Sequence, residues 1–287
     1  MAEPLVVVVG GANVDVKART TAPLVDATSN PGVVLRSPGG VGRNVAENLA
    51  RLGSRVALVS TVGNDPDGDW LLAQTAAAGV DVAPVLRGGA TGRYVAVLDH
   101  TGDLAVGVSD MAATDSLGPD ALDHDLLRAA DLVVLDGNLP ATTIDAALDV
   151  ADRVVVDPVS VAKAARIAPL FRPERPVFAV TPNAHELRAL GSVAALHGHG
   201  VEVVWVRRGA EGSELHPASS GPVWLAAPVV DPVDVTGAGD ALLAAFCHAL
   251  LRGVSLEDAA AYGHRAAALT VADPHTVVPD LSARMAR

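Results

Sequence analysis

Short valine-rich runs alternate along the chain with longer amphipathic stretches. The runs Leu5–Val9, Arg55–Val59, Leu132–Leu135, Arg153–Val156, Val177–Val180 and Val201–Val206 are continuous in apolar residues, not alternating. That pattern predicts strands buried on both faces. Between them, apolar residues recur at helical spacing over Val41–Leu52, Gly68–Ala78, Ala121–Ala130, Thr142–Ala151, Val161–Leu170, His185–Leu190, Asp240–Leu251 and Leu256–Ala272. Strand and helix in repeated alternation predict an α/β domain with a mainly parallel, doubly wound sheet covered by helices. Two segments, about 14–37 and 89–109, carry strand patterns with no helix between them. Within the second, Asp99-His100-Thr101-Gly102 has hairpin-turn composition. These pieces predict a small separate sheet, either a lid over a ligand or a plain edge extension. No internal repeat or low-complexity linker interrupts the chain, so a single domain over 1–287 is expected.

Composition narrows the picture. Hydrophobic residues make up 50% of the 287, yet aromatics only 3%, so the core must be built from Val, Leu and Ala. A formal net charge of −12 argues against polyanion binding by bulk electrostatics, so no nucleic-acid partner is expected. The lone cysteine, Cys247, falls in an apolar helical run and reads as core. Its solitude allows no internal disulfide and fits a reducing, cytoplasmic setting. The segment MAEPLVVVVGG lacks a basic lead-in and reads as a strand. No apolar run approaches the roughly 18 residues of a membrane span.

Three stretches carry chemistry. In DVTGAGDALLAAF (Asp234–Phe246), Gly237 and Gly239 expose backbone N–H groups at a helix start, where the dipole favours an anion such as phosphate. Asp240 is then either a general base for a hydroxyl about to be phosphorylated, or a helix N-terminal acid contributing about 0.5 kcal/mol. In SPGGVGRNVAENLARLG (Ser37–Gly53), glycines next to Asn44 allow close approach of a polar ligand, or serve turn geometry alone. In GGANVD (Gly10–Asp15), directly after the first strand, Asn13 and Asp15 fall at the ligand-binding edge of a parallel sheet, though both are also ordinary turn residues. Other motifs fail. There is no Walker-type phosphate loop. Asp65, Asp67 and Asp69 imitate a calcium loop, but Trp70 and Ala76 stand where glycine and glutamate are needed.

GGVGRN together with DVTGAGDA resembles the paired signatures of the ribokinase-like (PfkB) family of carbohydrate and nucleoside kinases. Gly63, Asp65 and Gly68 match its V-G-x-D-x-x-G stretch. TPNAHE (Thr181–Glu186) matches its P-N-x-x-E element, and RRGAEG (Arg207–Gly212) its nucleotide glycine loop. Ser29–Gly53, Ser109–Met111, Asp136–Asn138 and Val156–Ser160 resemble the pseudouridine kinase branch of that family. There are departures. Thr181 stands where the family often has lysine. Arg207 and Arg208 stand where it usually has a small hydroxyl residue and an apolar one. Both bear on whether the nucleotide is ATP or GTP.

The resemblance implies a ribokinase-like fold with a small β lid, and transfer of the ATP γ-phosphoryl to a ribose 5′-hydroxyl. Asp240 would be the base, with Gly237, Ala238 and Gly239 at the developing charge. Asn13, Asp15, Gly39, Gly40, Gly42, Asn44, Asp110 and Asn138 would hold the nucleoside. Asn183, Arg208, Gly209, Gly212 and Thr236 would line the nucleotide. Glu186 would meet Mg²⁺ through water, and Asp234 a monovalent cation such as K⁺. Exposed lid strands are an edge liability, so a homodimer through the lid is also expected. The other readings are a kinase for ribose, adenosine or inosine, and a catalytically silent nucleoside-binding protein.

Overall fold

A computed structural model describes residues 3–286. Its strands are β1 (Leu5–Val9), β2 (Asn13–Thr20), β3 (Gly32–Gly39), β4 (Arg55–Val59), β5 (Thr61–Val62), β6 (Leu86–Arg87), β7 (Gly92–Leu98), β8 (Leu104–Asp110), β9 (Leu132–Asp136), β10 (Val154–Asp157), β11 (Val177–Val180), β12 (Val201–Arg207), β13 (Ser213–Pro217) and β14 (Val223–Leu225). The main sheet has the order β14-β13-β12-β11-β10-β9-β1-β4. From β4 to β12 its pairs are parallel, and β13 and β14 add antiparallel at one edge.

The valine runs form this sheet because helices cover both faces. Val6 and Val8 of β1 pack into one hydrophobic cluster, with the Ala238–Leu251 helix, while Val7 and Val9 pack into the other. Successive strand residues point to opposite faces, so a strand covered on both sides needs apolar residues at every position. Each fully buried aliphatic contributes about 1.5–3 kcal/mol.

The strand order reverses at β1. The chain leaves β1 for β4 on one side, then crosses to β9 on the other. In such sheets the crevice beyond the carboxyl ends, at the reversal, is where ligands bind. Here that crevice lies between Gly10–Asn13, which follows β1, and Asp136–Asn138, at the end of β9.

The second sheet, order β3-β2-β7-β8, stands over this crevice. It is the small sheet expected from segments 14–37 and 89–109. The hairpin between β7 and β8 turns where predicted, with Asp99 Oδ1 accepting the N–H groups of Thr101, Gly102 and Asp103. Polar contacts tie this small sheet to the main domain, among them Arg36 of β3 and Arg93 of β7 to Asp67. Asp65 accepts the Thr91 hydroxyl and N–H just before β7, and Lys17 of β2 meets Asp234 at 2.7 Å. Hydrogen bonds from Thr91 hold the Asp65 carboxyl down at about 2. Edge strands β3 and β8 leave Val33, Val34, Leu35, Leu104, Val106 and Val108 exposed, with Val34 at 67%.

Several boundaries differ from the sequence expectation. The helix expected at Gly68 begins at Pro66, because Asp65 caps it by accepting the Gly68 N–H. The stretch Ala121–Ala130 splits into a short 3₁₀ turn and His124–Ala129, capped by Asp123. The last helix of the chemistry-bearing turn starts at Ala238, not Asp240. Helix Val193–Gly198 and strands β13 and β14 were not anticipated. No helix among the described residues is long and apolar enough to cross a membrane.

Candidate active site

The crevice encloses about 440 Å³ beneath the lid, within the usual range for a small-molecule site. Asn13, Asp15, Gly40, Asn44, Asn138, Thr236, Gly237 and Asp240 all line it. Residues more than two hundred positions apart in the chain are therefore brought together, and both Gly-rich segments open onto one cavity.

Gly237 sets the geometry of the wall formed by the Asp234–Asp240 turn. It caps the Ala238–Leu251 helix at φ +80°, a left-handed conformation that L side chains rarely adopt. The first helical hydrogen bond is Ala241 N–H to Gly237 O, so the N–H groups of Gly239 and Asp240 precede it, at the positive end of the helix dipole. The Ala238 N–H is already directed at Val235 O, at 3.3 Å. Of the expected set only Ala238 has its N–H taken by a backbone partner, and the Gly239 and Asp240 N–H groups lie at the open helix start.

Asp240 occupies the first turn and receives a hydrogen bond from Asn44 Nδ2 at 2.9 Å. Arg43 Nη1 donates to Asn44 Oδ1 at 2.8 Å, which fixes the amide so that its NH₂ faces Asp240. Desolvation pushes the Asp240 carboxyl up to about 8. The Asn44 bond opposes that rise, Asp157 and Asp136 add to it, and Arg207 opposes it.

On the sugar side, Asn13 Nδ2 donates to Asp15 Oδ1 at 2.6 Å, presenting the pair as one polar unit. A Cβ on Gly39 would lie 2.3 Å from Asp15 Oδ2, so Gly39 makes room for that carboxylate and does not line the cavity itself. Gly42 is also displaced from its expected role. It packs back-to-back on Gly10, where a Cβ would meet Gly10 Cα at 2.6 Å. Buried Asp136 pins this junction by accepting the N–H groups of Gly11 and Gly42 on one oxygen, and those of Asn138 on the other.

Asp110 is exposed at the end of β8, outside the cavity lining; its neighbour Met111 faces the cavity instead. Tyr94, Thr114, Val41 and Val159 complete the wall and were not picked out as ligand contacts. Val159 has φ +65°, unusual for a β-branched residue, with Ser160 N–H closing a tight turn onto Pro158 O. Its sequence signal was only its place in VDPVS.

The nucleotide-side residues are rearranged relative to expectation. Asn183 and Glu186 form a reciprocal helix cap: Asn183 Oδ1 accepts the Glu186 N–H, and Glu186 accepts from Asn183 N–H and Nδ2. Arg208 points outward to Glu214 at 2.7 Å. Arg207 instead pairs with Asp157 and lies beside Gly239. Gly212 is required where it stands, since a Cβ would lie 2.0 Å from Leu225 O.

The metal expectations meet specific partners. Asp234 Oδ2 takes the Lys17 ammonium at 2.7 Å, and its Oδ1 accepts the Thr236 N–H. Asp65, Asp67 and Asp69 are spent on the helix cap and on Arg93, Arg36 and Arg87. Among the described residues no three His, Cys, Asp or Glu side chains converge on a metal-sized position.

Residues 3–283 match the model of the pfkB family of carbohydrate kinases. The chain belongs to that family. It is 31% identical to a pseudouridine kinase of Escherichia coli, over 96% of this chain and 93% of the relative. It is 29% identical to a ribokinase of Bacillus subtilis, covering 82% of this chain and 81% of the relative. The solved ribokinase of Thermotoga maritima superposes with a TM-score of 0.87 over 100% of both chains at 24% identity, which establishes the ribokinase-like fold. Membership of the family supports an ATP-dependent phosphotransferase acting on a sugar or nucleoside.

Proposed function

We propose that the protein phosphorylates the ribose 5′-hydroxyl of a nucleoside, pseudouridine in particular, with ATP as donor. The observation carrying this reading is the Asn44–Asp240 hydrogen bond at 2.9 Å. It joins the glycine-rich sugar segment to the phosphate turn at one floor, so one carboxylate faces both sides of the transfer. The pairing Asn13–Asp15 grips ribose hydroxyls. Asp240 accepts the 5′-hydroxyl proton as that oxygen attacks the γ-phosphorus and ADP leaves. The amides of Gly239 and Asp240 meet the developing charge, and the lid excludes water as a competing acceptor.

Phosphoryl transfer needs positioning and charge neutralisation more than covalent chemistry. Mg²⁺ supplies part of the second when it arrives on the nucleotide phosphates. Among the described residues no cage is preformed for it, and Glu186 would meet it through water. The choice of pseudouridine rests on the 31% identity over 96% of the chain. The similarity to a ribokinase supports a ribose-bearing acceptor more broadly. Turnover with ATP and Mg²⁺ across pseudouridine, uridine, ribose and adenosine tests the reading. Pseudouridine should give the highest kcat/KM.

The exposed apolar strands β3 and β8 support the same lid serving as a dimer contact. We expect a dimer by light scattering, converted to monomer by Val34→Asp with Val106→Asp. A monomeric wild-type protein at micromolar concentration would remove this part of the proposal.

A further inference from the structure

Arg207 is the charged residue that the family pattern did not anticipate. It ends β12 at the ligand edge of the sheet. Its guanidinium donates to both oxygens of Asp157, Nη1 to Oδ2 at 3.0 Å and Nη2 to Oδ1 at 2.9 Å. Nη2 also lies 3.6 Å from Glu186 Oε2. On the other side, Nη1 lies 3.2 Å from where a Cβ on Gly239 would project, so the guanidinium sits directly under the phosphate turn. Its side chain is 15% exposed.

A structural role alone accounts poorly for this residue. A buried ion pair seldom improves stability over apolar packing. The bidentate clasp uses two of the five guanidinium N–H groups and fixes the plane of the rest. The other cations near the site are also paired, Lys17 with Asp234, Lys163 with Asn138, Arg43 with Asn44 and Glu47, and Arg208 with Glu214; Arg207 is set apart by lying against Gly239 at the helix start.

We propose that Arg207 is a catalytic residue that contacts the transferred γ-phosphoryl group, held in position by Asp157. The proposal rests on the placement of the nucleotide phosphates at the Gly239–Asp240 turn described above. During transfer the bond from the γ-phosphorus to the bridging oxygen breaks, and ADP departs with that electron pair. The 5′-oxygen forms the new bond, and its proton passes to Asp240. Arg207 neither gains nor loses a proton; its charge offsets the charge spread over the equatorial oxygens.

The test compares binding of ADP and of the non-hydrolysable triphosphate AMP-PNP, both with Mg²⁺, by calorimetry. Charge-assisted contacts of this kind shift affinity by roughly 10–100-fold. Arg207→Met should therefore weaken AMP-PNP by about that factor while ADP changes by less than about threefold, with nucleoside affinity retained. An equal loss for both nucleotides, or no loss for either, overturns the proposal. If Arg207→Met fails to fold with Asp157 unpaired, Arg207→Lys carries the test. It keeps the charge but not the fork, so the preference for AMP-PNP over ADP should fall at least about threefold. An unchanged preference overturns the proposal. Wild-type protein that binds neither nucleotide would overturn the underlying reading and this proposal with it, whereas the other contrary results remove only the role of Arg207.

Discussion

Asp240→Asn should lower kcat by about 10²–10⁴-fold, the usual contribution of a positioned general base, while the nucleoside still binds. The amide is isosteric and can still meet Asn44, so the cavity keeps its shape. The same substitution should raise thermal stability. The folded carboxyl titrates at about 8 against 3.8 for an unperturbed aspartate. The folded state therefore holds this proton more tightly than the unfolded chain does. Its stabilising contribution is complete below pH 4 and is lost as pH rises through the window from 4 to 8. An asparagine carries no such loss, so the melting-temperature advantage of the variant should grow across that window. In the wild-type enzyme, kcat/KM should rise with pH toward a plateau above about 8, as the base ionises. Near-normal turnover in Asp240→Asn would reject the general-base role.

Gly237→Ala should damage both stability and catalysis. The new Cβ would lie 2.2 Å from the Thr276 carbonyl oxygen, and φ +80° is costly for an L residue. Backbone strain of this type costs about 1–3 kcal/mol before the clash is added. Because Gly237 sets the first turn of the helix, its displacement misaims the Gly239 and Asp240 amides. Loss of such a donor costs about 10²–10³ in kcat. Gly239→Ala provides the contrast. Its Cβ would meet only the tip of Arg207, at 3.2 Å, and its φ is not positive. It should leave the melting temperature nearly unchanged while still lowering kcat. Urea denaturation and steady-state kinetics on both variants separate the two effects. A Gly237→Ala protein as stable and active as wild type would contradict the geometry of this turn.

The parallel core was legible because strands buried on both faces leave an unbroken apolar signature, as in Leu5–Val9. Strands β13 and β14 left none. SELHP, next to the edge strand, mixes buried and half-exposed positions, and β14 at the edge is only three residues long. The helix Val193–Gly198 was too short for periodicity to register. The glycine-rich segments and Asp240 were readable as local motifs. Their mutual arrangement was not, since the Asn44–Asp240 contact spans 196 positions of sequence. The same limit hid the corrections. Gly42 reads as a ligand-facing glycine until Gly10 is seen packed against it. Of the two arginines in RRGAEG, Arg207 is the last residue of β12 and turns to Asp157, while Arg208 lies past the strand end and pairs with Glu214, a boundary that local sequence does not reveal.

The central claim is that one carboxylate-floored cleft transfers phosphate to a nucleoside 5′-hydroxyl. Purified protein incubated with ATP, Mg²⁺ and pseudouridine, uridine, ribose or adenosine in separate reactions tests it, with each product identified by phosphorus NMR. The account predicts fastest turnover of pseudouridine and a product whose phosphorus couples to the two 5′ protons. Phosphorylation of adenosine or ribose without pseudouridine, phosphorus on any other hydroxyl, or no product at all would contradict it.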